Sequence, residues 1–214
     1  YYTPNNAILI VAGDITGAEL KPLAEKYYGS IAPRVATFTQ TRPAVQWPDE
    51  PKRVTMHDER VNEASWLRFY PARASAALDV LAEILGGGTT SRLYQSLVVR
   101  DRKLTAVQAW YSGDQIGSGD FGLYALPRVG GSIADAEKAV DAALAEFLAS
   151  DITDEELTRA RSQLVAGAVY ARDRQQTMAY VYGSGIMTGL TPKEIYGWPK
   201  AIAAVTAADV RKAA

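Results

Sequence analysis

Residues 7–12 are an uninterrupted apolar run, Ala-Ile-Leu-Ile-Val-Ala, closed by Gly13 and Asp14. Branched side chains without a polar alternate predict a strand buried on both faces. The period then changes: Leu20, Leu23, Ala24 and Tyr27 fall at helical spacing behind a Thr16/Glu19 capping box, with Gly29 as the stop. Residues 30–51 hold Pro33, Pro43, Pro48 and Pro51 and no period, which predicts an extended connection inside one domain. Alternation returns twice. In residues 52–60, Val54 and Met56 alternate with Thr55, His57 and Glu59; in residues 65–71, Leu67 and Phe69 lie opposite Trp66, Arg68 and Tyr70. Together the two stretches predict a hairpin.

Leu78, Leu81, Ala82 and Leu85 mark an amphipathic helix over 75–85 that runs into Gly86, Gly87 and Gly88. Thr89 or Thr90 is expected to cap a further helix through Leu93, Leu97 and Val98. Residues 105–111 and 121–126 alternate like a second strand pair around a Gly/Asp/Ser-rich turn. Behind them, Ser132/Asp135, Thr153/Glu156, Thr191/Glu194 and Thr206/Asp209 are helix-start signatures. In residues 154–172 the buried stripe is Leu157, Ala160, Leu164 and Ala168. The order β-α-ββ-αα-ββ-αααα predicts a single α+β domain over residues 1–214, with helices packed on one face of a mostly antiparallel sheet.

Composition adds mainly exclusions. The 214 residues carry 23 basic and 24 acidic side chains in mixed order, so no stripe points to nucleic acid or a membrane surface. No apolar run reaches spanning length. The absence of cysteine removes disulfides, thiolate metal sites and cysteine nucleophiles together, and leaves the compartment open. The chain begins Tyr-Tyr-Thr-Pro with neither an initiator Met nor a signal-peptide pattern, so it is expected to be internal to a longer chain.

Candidate chemistry is sparse. His57 is the one histidine, whereas a catalytic zinc site built on imidazoles needs at least two. Its place on the polar side of an alternating stretch suits a half-exposed strand residue. Gly183-Ser184-Gly185 lacks the spacing of a nucleophile elbow and lies within a helical pattern, as a break or a close-packing site. Asp154, Glu155 and Glu156 fall in a helix first turn, where they favour the macrodipole. Gly86, Gly87 and Gly88 follow a helix and lack the phosphate-loop spacing. Two readings stay open for them: a loop exposing free amides to an extended peptide, or a plain inter-helix turn.

Three blocks carry a family resemblance. The first is the opening Tyr2-x-Pro4-Asn5-Asn6-Ala7 with Ile10 to Asp14, together with Lys26-Tyr27-Tyr28-Gly29-Ser30-Ile31. The second is Leu85-Gly86-Gly87-Gly88-x-x-Ser91-Arg92-Leu93-Tyr94-Gln95-x-Leu97, followed by Lys103-Leu104-Thr105-Ala106, and the third is Thr153-x-x-Glu156-Leu157-x-x-Ala160-Arg161. In this order they resemble the non-zinc, second-type domain of insulinase/pitrilysin metallopeptidases, the group that includes mitochondrial processing peptidase. The resemblance implies a two-layer α+β roll, paired with a zinc-bearing homologous domain in the same chain or a partner subunit, two halves closing around an unfolded peptide. It implies no cofactor in this chain and zinc in the companion. It also implies a substrate role for the glycine loop, Gly86, Gly87 and Gly88, and a bacterial periplasmic or cell-envelope location, with the cytoplasm left open.

In the half opposite the zinc, such families often supply an Arg and a Tyr seven residues apart around the place of Leu104. Here those places hold Val99 and Ala106, with Arg100 and Tyr111 out of register. The departure favours the domain that follows the zinc domain in the catalytic half. The function implied is a substrate-enclosing, structural domain of a zinc metalloendopeptidase, inactive by itself. The alternative is a protein-interaction domain like the zinc-free core subunits of respiratory complexes.

Overall fold

A computed structural model describes residues 2–36, 46 and 48–214. They group into two compact units, one of Tyr1–Ala44 with Ala168–Tyr196, the other of Val45–Gly167 with Gly197–Ala214. The unbroken helices α4 (Asp154–Ala171) and α6 (Pro192–Ala204) carry the chain from one unit to the other.

The larger unit is built on a sheet in the order β1-β3-β2: β1 is Trp66–Ala72, β2 Leu104–Ser112 and β3 Gly119–Pro127, with β3 antiparallel to both neighbours. Side chains alternate across the pleat. Trp66, Val107, Ala109, Phe121, Leu123 and Ala125 point to one face and are buried. That face is covered by α2 (Ala76–Gly86), which packs along β2, and α3 (Ile133–Ala149), which packs along β3 and β1. Helix α2 supplies Val80, Leu81, Ile84 and Leu85, and α3 supplies Ala136, Ala139, Val140 and Phe147, each large side chain contributing about 1.5–3 kcal/mol by leaving water. Behind α2 lies α7 (Ala207–Ala213), with Val210 fully buried.

Helix starts follow their caps. Ser132 Oγ accepts from the Asp135 amide at 3.0 Å, Thr153 Oγ1 from Glu156 at 3.2 Å, and Thr206 Oγ1 from Asp209 at 3.2 Å. The segment after the glycines is a π-helix over Tyr94–Arg100. Arg92, at its approach, stacks 5.0 Å from the Phe147 ring centroid and donates to both oxygens of Glu156, to Ser150 Oγ and to the Asp151 carbonyl. One side chain thereby ties the π-helix to the junction of α3 and α4. Hydrogen bonding from Arg92 holds the Glu156 carboxyl down at about 2, against a smaller opposing effect of burial.

In the smaller unit, α1 (Gly17–Tyr27) opens on the expected Thr16/Glu19 capping box but buries no residue. Thr3 is buried, its Oγ1 accepting from the Arg34 amide at 3.1 Å and donating to Asn5 Oδ1 at 2.6 Å. Helix α5 (Gln175–Met187) sets Gly183 and Gly185 against neighbours: an added Cβ would stand 3.1 Å from Ile10 Cδ1 and 2.7 Å from Ile195 Cδ1.

Several expectations need correction. Residues 7–12 form no strand, and Ile8, Leu9 and Val11 are 44–48% exposed. A strand buried on both faces exists only where a ladder and two layers receive it, and an apolar run cannot supply those itself. Residues 52–60 belong to no sheet, and β1 takes β3 as its partner. Alternation shows that a strand has two faces, not which strand it pairs with. Neither Thr89 nor Thr90 caps the following helix; Ser91, buried, donates to the Gly88 carbonyl at 2.6 Å, and its own carbonyl accepts from the Gln95 amide at 3.0 Å. Pro43 lies outside the described residues.

The tightest approach in the larger unit is at Gly86, where a Cβ would fall 2.0 Å from the Ala109 amide nitrogen of β2. Gly86→Ala is expected to cost about 1–3 kcal/mol by prising α2 off the sheet. Gly167→Ala, in α4 with nothing within 4 Å of the added Cβ, should instead stabilise by about 0.5–1 kcal/mol. Urea unfolding of both variants tests the pair, and a neutral Gly86→Ala would contradict the close approach.

Candidate functional site

The second face of the sheet carries no covering helix of its own unit, yet it is apolar. Leu67 and Phe69 of β1, Trp110 of β2, and Tyr124 and Leu126 of β3 point to it, and none is buried. Phe69 and Leu67 are 52% and 50% exposed. The register places Phe69 and Trp110 on either side of Gly122, and their rings meet edge to face with centroids 5.8 Å apart at 78°. Gly122 permits that meeting, since a Cβ there would come 2.2 Å from Trp110 Cζ2. Two residues along the same strands, Leu67 stands beside Tyr124, with Gln108 as Tyr124's other neighbour. The result is an open aromatic floor suited to side chains of an extended chain, with Gln108 within it and Ser112 and Asp120 at its end.

Sequence reading placed the strands of this floor but not the floor. The signal was present: Trp66, Leu67, Phe69 and Tyr70 are apolar at both parities, as expected of a strand that meets apolar matter on both sides.

The glycine loop divides in two. Gly86 is buried against β2, and Gly87 sits over Glu83, whose carboxylate an added Cβ would touch. Gly88 is open, with φ +149°, a value that favours glycine. The loop's carbonyls are engaged from within: Gly88 accepts from Ser91, Thr89 from Gln95 Nε2 at 2.6 Å, and Thr90 from Arg159. The amides of Gly88, Thr89 and Thr90 make no hydrogen bond among the described residues.

Arg100 and Tyr111 have other occupations. Arg100 pairs with Asp101 at 2.8 Å and reaches Glu146 at 3.5 Å, on the surface. Tyr111 donates to the Arg73 carbonyl at 2.8 Å and accepts from the Ser75 amide at 3.1 Å, fastening β2 to the start of α2. His57 is exposed, and among the described residues no three His, Cys, Asp or Glu side chains converge as a metal-ligand set. A groove of about 530 Å³ between the π-helix, α3 and the start of α4 is floored by Arg92, whose donors are already taken by Glu156, Ser150 and Asp151.

The residues above belong to an α+β unit with one face of its sheet packed by helices and the other open and aromatic. The chain belongs to the family described as "Peptidase M16 inactive domain", whose model matches residues 1–164. It is 29% identical over 124 residues to the zinc protease PqqE of Helicobacter pylori, a stretch covering 54% of this chain and 27% of that protein. The chain thus spans only part of its relatives. Its fold is similar to the crystal structure of a protease from Helicobacter pylori, with a TM-score of 0.77 at 18% identity over 94% of this chain and 50% of that one. The periplasmic protease PqqL of Escherichia coli matches with a TM-score of 0.67 at 17% identity, over 94% of this chain and 22% of PqqL.

One buried acid lies outside the open floor. Asp79 of α2 accepts from Trp198 Nε1 of α6 at 3.2 Å, with no cation among the causes that shift its carboxyl. Burial pushes its carboxyl up to about 6, the indole hydrogen bond opposes this, and the nearby charge of Asp114 adds to it. Because the folded value exceeds the ordinary 3.8, the unfolded chain sheds this proton first. The contribution of Asp79 to stability should therefore be greatest below the ordinary value and fall, by on the order of 2–3 kcal/mol, as pH rises to about 6. Asp79→Asn, which keeps an acceptor for the indole, should remove that slope. Urea midpoints measured across the interval check it, and identical slopes for both proteins would contradict the buried, uncompensated carboxylate.

Proposed function

We propose that this chain is the substrate-enclosing, non-catalytic domain of a zinc-dependent metalloendopeptidase, acting with a zinc-bearing homologous companion on unfolded polypeptide. The observation that carries the reading is the open apolar face of the sheet, Leu67, Phe69, Trp110 and Tyr124, in a chain of the M16 inactive-domain family. Monomeric proteins rarely leave such a face bare without using it. An extended peptide presents side chains at strand spacing and would find apolar contacts there without sequence-specific recognition. Hydrolysis itself, by metal-activated water, belongs to the companion, which would hold the zinc. The whole chain would then serve as one such domain.

The glycine loop fits this reading through Gly87 and Gly88. The amides of Gly88, Thr89 and Thr90, which make no hydrogen bond among the described residues, would donate to carbonyl groups of a bound peptide, while Gly86 holds α2 to the sheet. The likeness to a periplasmic protease supports a bacterial periplasmic location, and no helix among the described residues is long and apolar enough to cross a membrane.

The full-length protein, loaded with zinc, is the material for the test. Leu67→Lys and Phe69→Lys, at half-exposed positions, should leave thermal unfolding unchanged but lower kcat/KM on a casein-derived unfolded peptide by about fivefold to tenfold, mostly through KM. Unaltered kinetics would remove the face from the substrate path. A full-length protein that hydrolyses no peptide with or without zinc would favour the interaction-domain alternative.

A further inference from the structure

We infer that Gly167 of α4 and Gly197 of α6 are the two halves of one hinge, at which both helices bend together where the chain passes from one compact unit to the other. The inference is independent of the proposed function. Three features converge on it.

The first is position. The chain passes between the two units after Gly167 and again before Gly197, so each connecting helix carries a glycine at its crossing. Glycine inside a helix loosens it, because its backbone has the most freedom to lose. Packing gives no reason for either glycine, since nothing lies within 4 Å of a Cβ added at Gly167 or at Gly197. In α6 the joint is weaker still: Pro199 has no amide to give the Ile195 carbonyl, which removes a helical bond that would span Gly197.

The second is a change of attachment on either side of the joint. Ile195, before Gly197, stands against α5, where a Cβ added at Gly185 would come 2.7 Å from Ile195 Cδ1. Trp198, just after it, donates to Asp79 of α2, and Ile202 is fully buried in the core of the larger unit. Neighbouring side chains of one helix thus belong to different units. In α4, Leu164 and Val165 pack on that same core just before Gly167.

The third is the clamping of the two helices to each other. Within the larger unit, Arg161 Nη1 of α4 donates to the Ala203 and Val205 carbonyls at the end of α6, at 3.2 and 3.1 Å. Within the smaller unit, the Arg172 guanidinium, just past α4, lies 5.1 Å from the ring centroid of Tyr196 in α6. Both glycines fall between these clamps. With the helices tied on either side of the joint, a bend in one is a bend in both.

Hydrogen exchange on the full-length protein tests the hinge through its reciprocity. A bend at a glycine opens the backbone bonds that cross it, those donated by the amides of residues 168–171 in α4 and of residues 198, 200 and 201 in α6. Gly197→Ala is expected to slow exchange at its own crossing by about threefold to fivefold, and by a similar factor at residues 168–171 of the other helix. Gly167→Ala should do the converse. If either substitution leaves the crossing amides of the other helix unchanged, the effect is local helix propensity and the inference is overturned. Crossing amides as slow in the unaltered protein as those of Val80 and Ile84 in α2 would overturn it too.

Discussion

The larger unit depends on how closely α2 can lie on β2. Seven of the eleven residues of α2 are buried, and the helix ends on Gly86, whose missing side chain lets the backbone come against Ala109. With any Cβ there the two elements separate, and Val80, Ile84 and Leu85 lose the contacts that β2 gives them. The other consequences follow from that seating. The chain leaves α2 at the sheet surface, so the next residues must turn in the open, and Gly87 and Gly88 supply the turn. Ser91 then fixes the turn from below, and Arg92 enters the region between α3 and α4, where Phe147 and Glu156 receive it. A glycine that packs, one that turns and an arginine that clamps thus follow one another in seven residues, each needing the one before it.

This seating also decides which face of the sheet is left over. Helices α2 and α3 take the side of Trp66, Leu123 and Ala125, and the opposite side retains Leu67, Phe69, Trp110 and Tyr124. A strand that expected water there would carry Thr, Lys or Glu at those positions. The aromatic content, and a glycine at the centre of β3 that lets Phe69 and Trp110 meet, describe a surface shaped for contact. Its chemistry is passive, with no converging base, nucleophile or ligand set among the described residues, so any reaction over this face must draw its reactive groups from elsewhere.

Local signals were legible and non-local ones were not. The capping pairs Thr16/Glu19, Ser132/Asp135, Thr153/Glu156, Thr191/Glu194 and Thr206/Asp209 are all realised as hydrogen bonds, because a cap is decided within four residues of chain. Helix α5 was not separately expected: its N-cap is Arg174, which makes no capping bond. The alternation of residues 105–111 and 121–126 gave their pairing because a short turn joins them. For residues 7–12 and 52–60 the pattern described a strand, but a strand exists by virtue of its partner, and the ladder of β1 goes to β3, across an intervening helix, a π-helix and another strand.

The glycine loop shows why residue type alone could not separate substrate contact from architecture. Three consecutive glycines have one composition and three environments: Gly86 against the Ala109 amide, Gly87 over the Glu83 side chain, and Gly88 in open space with φ +149°. Only the last is required by backbone conformation, and the first two by close packing, Gly86 against β2 and Gly87 against Glu83. The shared motif Leu85-Gly86-Gly87-Gly88-x-x-Ser91-Arg92 therefore reports first on how a helix is seated and a turn closed. In the outward part of the loop the carbonyls of Gly88, Thr89 and Thr90 are tied down, while their amides make no hydrogen bond among the described residues.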